Sequence, residues 1–286
     1  MIGVFDSGIG GLTILRAIID RIPSADVVYL ADQAHMPYGT RSGADIVRLT
    51  RTGCECLVAT GCDLIVLACN TASAIALRQL QRDWLPDLRS RRTRAINVLG
   101  IIVPTIEAAT GRPWQQRWSK ADVPELARGA LVVFATRATA RSHVYEIEIA
   151  KRRADLPVLS VPCPNLASLI ESGTPLERLA LEIETHVRTM RETLDAEPEQ
   201  AVLGSTHYEV VADLFAQALP EETRIIRQPH ATAAALEAYL ARHPEFDAGS
   251  RGTRRFLTTG TQGQQHRLAE TYWGAPVHFE SLAPGS

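Results

Sequence analysis

Residues Leu64 to Ser73 read LIVLACNTAS. A run of branched apolar side chains stops at Ala68, Cys69, Asn70 and Thr71 arrive together, and Ala76, Leu77 and Leu80 continue at helical spacing. This is the pattern of a buried strand that delivers a cysteine to the head of a helix. A second stretch, Ala201 to Tyr208, reads AVLGSTHY and repeats the layout, with Ser205, Thr206 and His207 at the delivery point. The two stretches read as paired half-sites that differ in one atom, sulfur at 69 and oxygen at 205.

Working outward, strands are expected at Ile2–Phe5, Val27–Leu30, Asn97–Ile101, Ala130–Phe134, Val158–Val161, Arg224–Ile226 and Arg255–Thr259. Helical patterns separate them, among them Ser42–Thr60, Pro104–Thr110, Thr139–Arg153, Pro175–Leu194, His230–Leu240 and Gln262–Tyr272. Strands alternating with helices predict an α/β architecture with parallel sheets covered on both faces. Function in such folds gathers at the carboxyl ends of the strands, where Asp6, Asp32, Cys69 and Ser205 all fall. The polar segment Gly111–Arg128 has no period and reads as a surface excursion.

With 286 residues, 45% hydrophobic and 22% charged, the chain has core enough for one large domain or two lobes. A formal charge of −2 gives no broad electrostatic footprint for nucleic acid or an anionic membrane. Arg89, Arg91, Arg92 and Arg94 form a local basic cluster that reads as a solvated linker. The start, Ile2-Gly3-Val4-Phe5, is broken at once by Asp6, so no signal peptide is expected, and no apolar run reaches the roughly 20 residues of a membrane span. Five cysteines make an odd set, and Cys54-x-Cys56 lacks the second pair that a zinc site needs. The expectation is reduced thiols, a cytoplasmic location and no metal.

Four features bear on chemistry. The turn Asp6-Ser7-Gly8-Ile9-Gly10-Gly11 after the first strand is expected to leave backbone N–H groups free for an anion, and Asp32 ends the second strand. A dinucleotide fingerprint is incomplete, because Thr13 stands where its third glycine belongs. Cys69 alone would be an ordinary buried thiol, but a helix start beside it is expected to depress its pKa and make it a candidate thiolate. Ser205 with His207 suggests a serine hydrolase, yet Leu203-Gly204-Ser205-Thr206-His207 does not fit the Gly-x-Ser-x-Gly elbow.

Taken in order, Asp6-Ser7-Gly8-x-Gly10-Gly11, Pro37-Tyr38-Gly39, Cys69-Asn70-Thr71 and Gly204-x-Thr206-His207-Tyr208 resemble the glutamate racemases, the cofactor-independent Asp/Glu racemase family of bacteria. Thr136-x-x-Thr139-x-x-Ser142-x-x-Tyr145, Cys163-Pro164 with Leu169-Ile170-Glu171-x-Gly173, and Phe256-x-Thr258-Thr259-Gly260 extend the resemblance over nearly the whole chain. It implies two pseudo-symmetric α/β lobes with the active site in the cleft between them. Residues 1–97 and 208–286 would form the first lobe and 98–207 the second. It implies proton transfer by two cysteines on opposite faces of the substrate Cα, without a cofactor, and a role in supplying D-glutamate for peptidoglycan. By position, Cys69 would be the base toward the D-enantiomer, assisted by Asp6, with His207 assisting the opposite group at 205. Ser7, Tyr38, Gly39, Asn70, Thr71, Thr139 and Thr206 would hold the substrate's charged groups, and Glu171 matches an acidic residue near the site. Family members commonly pair, so a homodimer is possible.

Ser205 stands where the family places its second cysteine. A hydroxyl is a far weaker acid than a thiol, and a misplaced acid/base group loses roughly 10²–10⁴ in rate. Three readings stay open at this point: an engineered Cys→Ser change, a natural one-sided reaction using Ser205 with His207, and lost catalysis with binding retained. Beside racemisation of glutamate stand two alternatives: a one-thiol decarboxylase or isomerase of a dicarboxylic acid, and an amino-acid-binding relative.

Overall fold

The computed structural model describes residues 1–113, 129–194, 197–246, 248–260 and 266–282. Most of the segment expected to be a surface excursion, and the first residues of the helix expected from Gln262, lie outside them. Among the described residues ten strands run in chain order: β1 Ile2–Asp6, β2 Val27–Ala31, β3 Leu64–Leu67, β4 Asn97–Gly100, β5 Ala130–Ala135, β6 Val158–Pro162, β7 Pro198–Gly204, β8 Arg224–Ile226, β9 Arg254–Thr258 and β10 Glu280–Ser281. They make two sheets, ordered β10-β9-β2-β1-β3-β4 and β6-β5-β7-β8, and every strand pair is parallel.

The unbroken apolar character of the strands follows from burial on both faces. In β1 and β3, Phe5, Ile65 and Leu67 pack into one cluster with Ile46, Leu49 and Leu57 of the helix Gly43–Ala59. Val4, Leu64 and Val66 turn to the opposite face and pack with Leu12, Leu15 and Ile18 of the helix Leu12–Arg21. The second sheet divides likewise: Leu131, Val133 and Val202 face Ile106, Tyr145 and Ile149, while Val132, Phe134 and Leu203 face Ile183, Val187 and Phe215. Period-two alternation thus sorts one apolar run between two cores.

The sheets divide the chain differently from the limits expected at 97/98 and 207/208. β4 continues the first sheet by pairing with β3, and β8 joins the second by pairing with β7. The chain therefore leaves the first sheet after Gly100 and returns only after Ile226, because both short strands find their ladder partner on the near side of the crossing.

Local breaks differ too. The helix expected over Thr139–Arg153 is two, Arg137–Arg141 and Val144–Ala150, separated at His143, whose φ of 50° is left-handed. After Cys69 the helical path is segmented: Asn70–Ile75, a turn at Leu77–Gln79, a wider π turn at Leu80–Trp84, and Leu85–Ser90. Among the described residues no helix is long and apolar enough to cross a membrane.

Candidate active site

The carboxyl ends of β1, β3 and β7 converge on a small cavity of about 40 Å³. Ser7, Tyr38, Gly39, Cys69, Asn70, Thr71, Glu171, Ser205, Thr206 and His207 line it, so most of the residues singled out from the sequence meet there. Thr139 stands one contact back, hydrogen-bonded to Thr71 at 3.2 Å. Met36, Pro37, Thr136 and Ala167 complete the wall; Met36 and Ala167 were not singled out from the sequence, and Pro37 stood there only in a motif. Met and Ala carry no polar signal, and Thr136 was read only as part of a motif.

Asp6 lies beneath the cavity, fully buried. Its Oδ2 accepts hydrogen bonds from the backbone N–H groups of Gly8 (3.2 Å) and Gly11 (3.1 Å). The turn expected to welcome an outside anion is filled by its own carboxylate, which corrects that expectation. The other oxygen, Oδ1, has no hydrogen-bond partner among the described residues. Burial raises the Asp6 pKa, against the opposing pull of the His207 charge and the two backbone donors.

Cys69 caps the helix Asn70–Ile75, its Sγ accepting from the Ala72 N–H at 3.4 Å, and it lies 3.4 Å from Ser7 Oγ. The expected depression of its pKa does not occur. Burial, then the neighbouring Asp6 charge, push the thiol up to about 12, and the bonds from Ser7 and Ala72 offset this only in part. A single turn of helix donors is too weak against complete desolvation. Cys69 therefore rests as a neutral thiol.

Across the cavity, the extended Ser205 leads into the tight turn Thr206–Val211. Its side chain caps nothing there and is not hydrogen-bonded to His207, so the serine–histidine pair of a hydrolase is not assembled. His207 instead bonds through Nε2 to Glu171 Oε1 at 2.6 Å. Burial alone would lower the His207 pKa, but the hydrogen bond and charge of Glu171, with the charge of Asp6, outweigh it and raise the value. Tyr272, from the C-terminal helix His266–Trp273, packs edge-on against the imidazole, with centroids 5.8 Å apart.

The two walls are pressed together where Gly10 meets Thr206: a Cβ at Gly10 would sit 2.5 Å from Thr206 Oγ1. Tyr38 is aimed by Asp32, which accepts its hydroxyl at 2.6 Å and also binds Thr259 Oγ1 at 2.7 Å and His35 Nδ1 at 2.8 Å. Asp32 is thus a support for the cavity wall rather than a ribose ligand. Thr71, Thr136 and Thr139 form a closed trio of hydroxyls at 3.0–3.2 Å beside it.

A larger cavity of about 630 Å³ lies behind the Cys69 helix, walled by Leu77, Leu99, Ile102, Val144 and Leu236. Size does not make it the reactive site, since no thiol lines it and its walls are largely apolar. Among the described residues no three His, Cys, Asp or Glu side chains are grouped to hold a metal ion.

Two all-parallel sheets whose strand ends close on one buried thiol, a ring of hydroxyls and a His–Glu pair give the architecture of a two-lobed α/β enzyme. The chain belongs to the glutamate racemase family. It is 58% identical to the glutamate racemase of Phenylobacterium zucineum over 98% of this chain and 99% of that protein. Among solved structures, glutamate racemase RacE1 of Bacillus anthracis superposes with a TM-score of 0.81 at 27% identity, covering 99% of this chain and 97% of that one. The glutamate racemase of Francisella tularensis in complex with D-glutamate gives 0.80 at 26% identity, covering 99% and 97%. A scan against protein-family models gave no match. The chain is accordingly an isomerase of the glutamate racemase type.

Proposed function

We propose that the chain interconverts D- and L-glutamate by proton transfer between opposed walls, with Cys69 on one and the Ser205–His207–Glu171 group on the other. The observation that carries this reading is the convergence of those walls on one cavity, with the thiol and the His–Glu pair both lining it. A relative of the same fold is known in complex with D-glutamate, which supports an amino acid as ligand.

In the forward half-reaction Cys69 breaks the Cα–H bond of D-glutamate, taking the proton on sulfur and leaving the electron pair on carbon. A thiol with a pKa near 12 must first lose its own proton, which passes to the neighbouring Asp6 carboxylate, whose own pKa is raised. The substrate ammonium, seated beside Cys69, then stabilises the thiolate against its burial. Hydroxyls of Ser7, Thr71 and Thr206 and the Asn70 amide are suited to hold the carboxylates and the developing negative charge. Return of a proton from the far face completes inversion.

Ser205 makes that return the slow half. Its hydroxyl is a poor acid, so the proton comes from the His207 imidazolium that Glu171 holds charged, with Ser205 lining its path. The product D-glutamate would serve peptidoglycan synthesis. The one observation favouring a different outcome is the same serine: a site with a single thiol can exchange or remove a group on one face without inverting the centre. Ser205→Cys separates the two. The racemase reading expects faster racemisation, by at least about tenfold, in a circular-dichroism assay with each enantiomer. One-sided chemistry expects deuterium uptake from solvent into D-glutamate and no gain in inversion.

A further inference from the structure

The residue after the thiol, Asn70, is wired to parts of the chain far from it. Its Nδ2 donates to Gln228 Oε1 at 2.9 Å, and its Oδ1 accepts from Tyr145 OH at 2.8 Å and from Gln228 Nε2 at 3.1 Å. Gln228 Nε2 also reaches Thr105 Oγ1 and Tyr145 OH, both at 3.0 Å. Asn70, Thr105, Tyr145 and Gln228 are each no more than 3% exposed. All four are neutral polar groups, buried and mutually satisfied, the condition under which such a network rigidifies rather than destabilises.

The placement of the four is the informative part. Thr105 lies on the helix Ile102–Thr110, entered as the chain leaves the first sheet after β4. Gln228 opens the helix Gln228–Arg242, entered as the chain returns after β8, the outer strand of the second sheet. Tyr145 belongs to the helix Val144–Ala150 between β5 and β6 of the second sheet. Both crossings between the sheets, and one helix of the second lobe, therefore converge on the amide beside Cys69. One N–H of Asn70 is spent in this network, and Asn70 also lines the cavity that holds Cys69.

We infer that Gln228 and Tyr145 are positioning residues for the proton transfer: they fix the Asn70 amide, and with it the Cys69 turn, relative to the second lobe. A displacement of about 1 Å at such a turn can cost about 10²-fold in rate. The inference rests on the racemase reading only through turnover, so its test also uses a readout that needs no turnover.

In Gln228→Leu and Tyr145→Phe, iodoacetamide labelling is followed at each cysteine by peptide mass spectrometry, alongside kcat and KM for both glutamate enantiomers. In Gln228→Leu, Cys69 is expected to label at least about tenfold faster while the buried Cys54, Cys62 and Cys163 keep their rates, and kcat to fall by at least about tenfold. Tyr145→Phe, which removes one oxygen, is expected to move both readouts the same way by a smaller factor. A merely structural role would speed labelling at all four buried cysteines together, and that result overturns the inference. Unchanged Cys69 labelling overturns it equally. Should Gln228→Leu fail to fold, Tyr145→Phe decides by the same criteria. A parent chain inactive on glutamate would count against the racemase reading, while the labelling pattern would still decide this one.

Discussion

At Asp6, one carboxylate oxygen is satisfied by two backbone donors and the other has no partner among the described residues, in a fully buried position. Its raised pKa means that the folded chain binds a proton there more tightly than the unfolded chain does. Stability from this group is thus fully present below the ordinary carboxylate value of about 3.9 and is lost as pH rises through the raised native value. Asp6→Asn keeps the shape and an acceptor for Gly8 and Gly11 while deleting the charge. It is expected to raise stability near neutral pH by about 1 kcal/mol in urea titration, and to lower kcat by about 10²-fold. A variant both less stable and fully active would contradict the role given to Asp6. The sequence reading set Asp6, Cys69 and His207 near one cleft and expected a depressed pKa at Cys69, the reverse of its raised value. The Cys69 thiol is governed by how completely it is buried and by the Asp6 charge, and neither can be read from residues 64–73 alone.

At the scale of elements, the two half-site turns work as a matched pair because they touch. Gly10 on one and Thr206 on the other leave no room for a side chain, so Gly10→Ala must push the walls apart. The expected result is a rise in KM and a fall in kcat of about 10²-fold, measured with D-glutamate. The His207–Glu171 bond gives the second turn its charge. Because the His207 pKa is raised, its contribution to stability is fully present below about 6.5 and is lost as pH rises through the raised native value. The stability difference between the parent and Glu171→Gln should therefore shrink in urea midpoints as pH rises through the raised native value of His207. A difference that grew with pH would contradict a protonated His207. The strand-to-turn layout of both half-sites was legible in the sequence, since an apolar run that ends in small and hydroxyl residues has few other readings. The edge packing of Tyr272 on His207 was not: a lone tyrosine on a helix gives no local sign of what it will cover.

Across the whole molecule, parallel sheets followed from the alternation of strands and helices, while a site between two lobes was what the family resemblance implied. The crossing points did not, because β4 and β8 are too short to announce which sheet they will pair with. Those crossings are where Thr105 and Gln228 meet Asn70, so the least legible part of the fold is also what ties the lobes to the Cys69 turn. The central claim is that two opposed walls transfer one proton each, with the Ser205 side limiting. It is tested most directly by incubating D- and L-glutamate in deuterium oxide with the parent and with Ser205→Cys, recording optical change and Cα deuterium together. The account predicts that the parent exchanges the D-glutamate α-proton faster than it inverts the centre, and that Ser205→Cys raises inversion by at least about tenfold. Neither exchange nor optical change, for either enantiomer and with either protein, would contradict it.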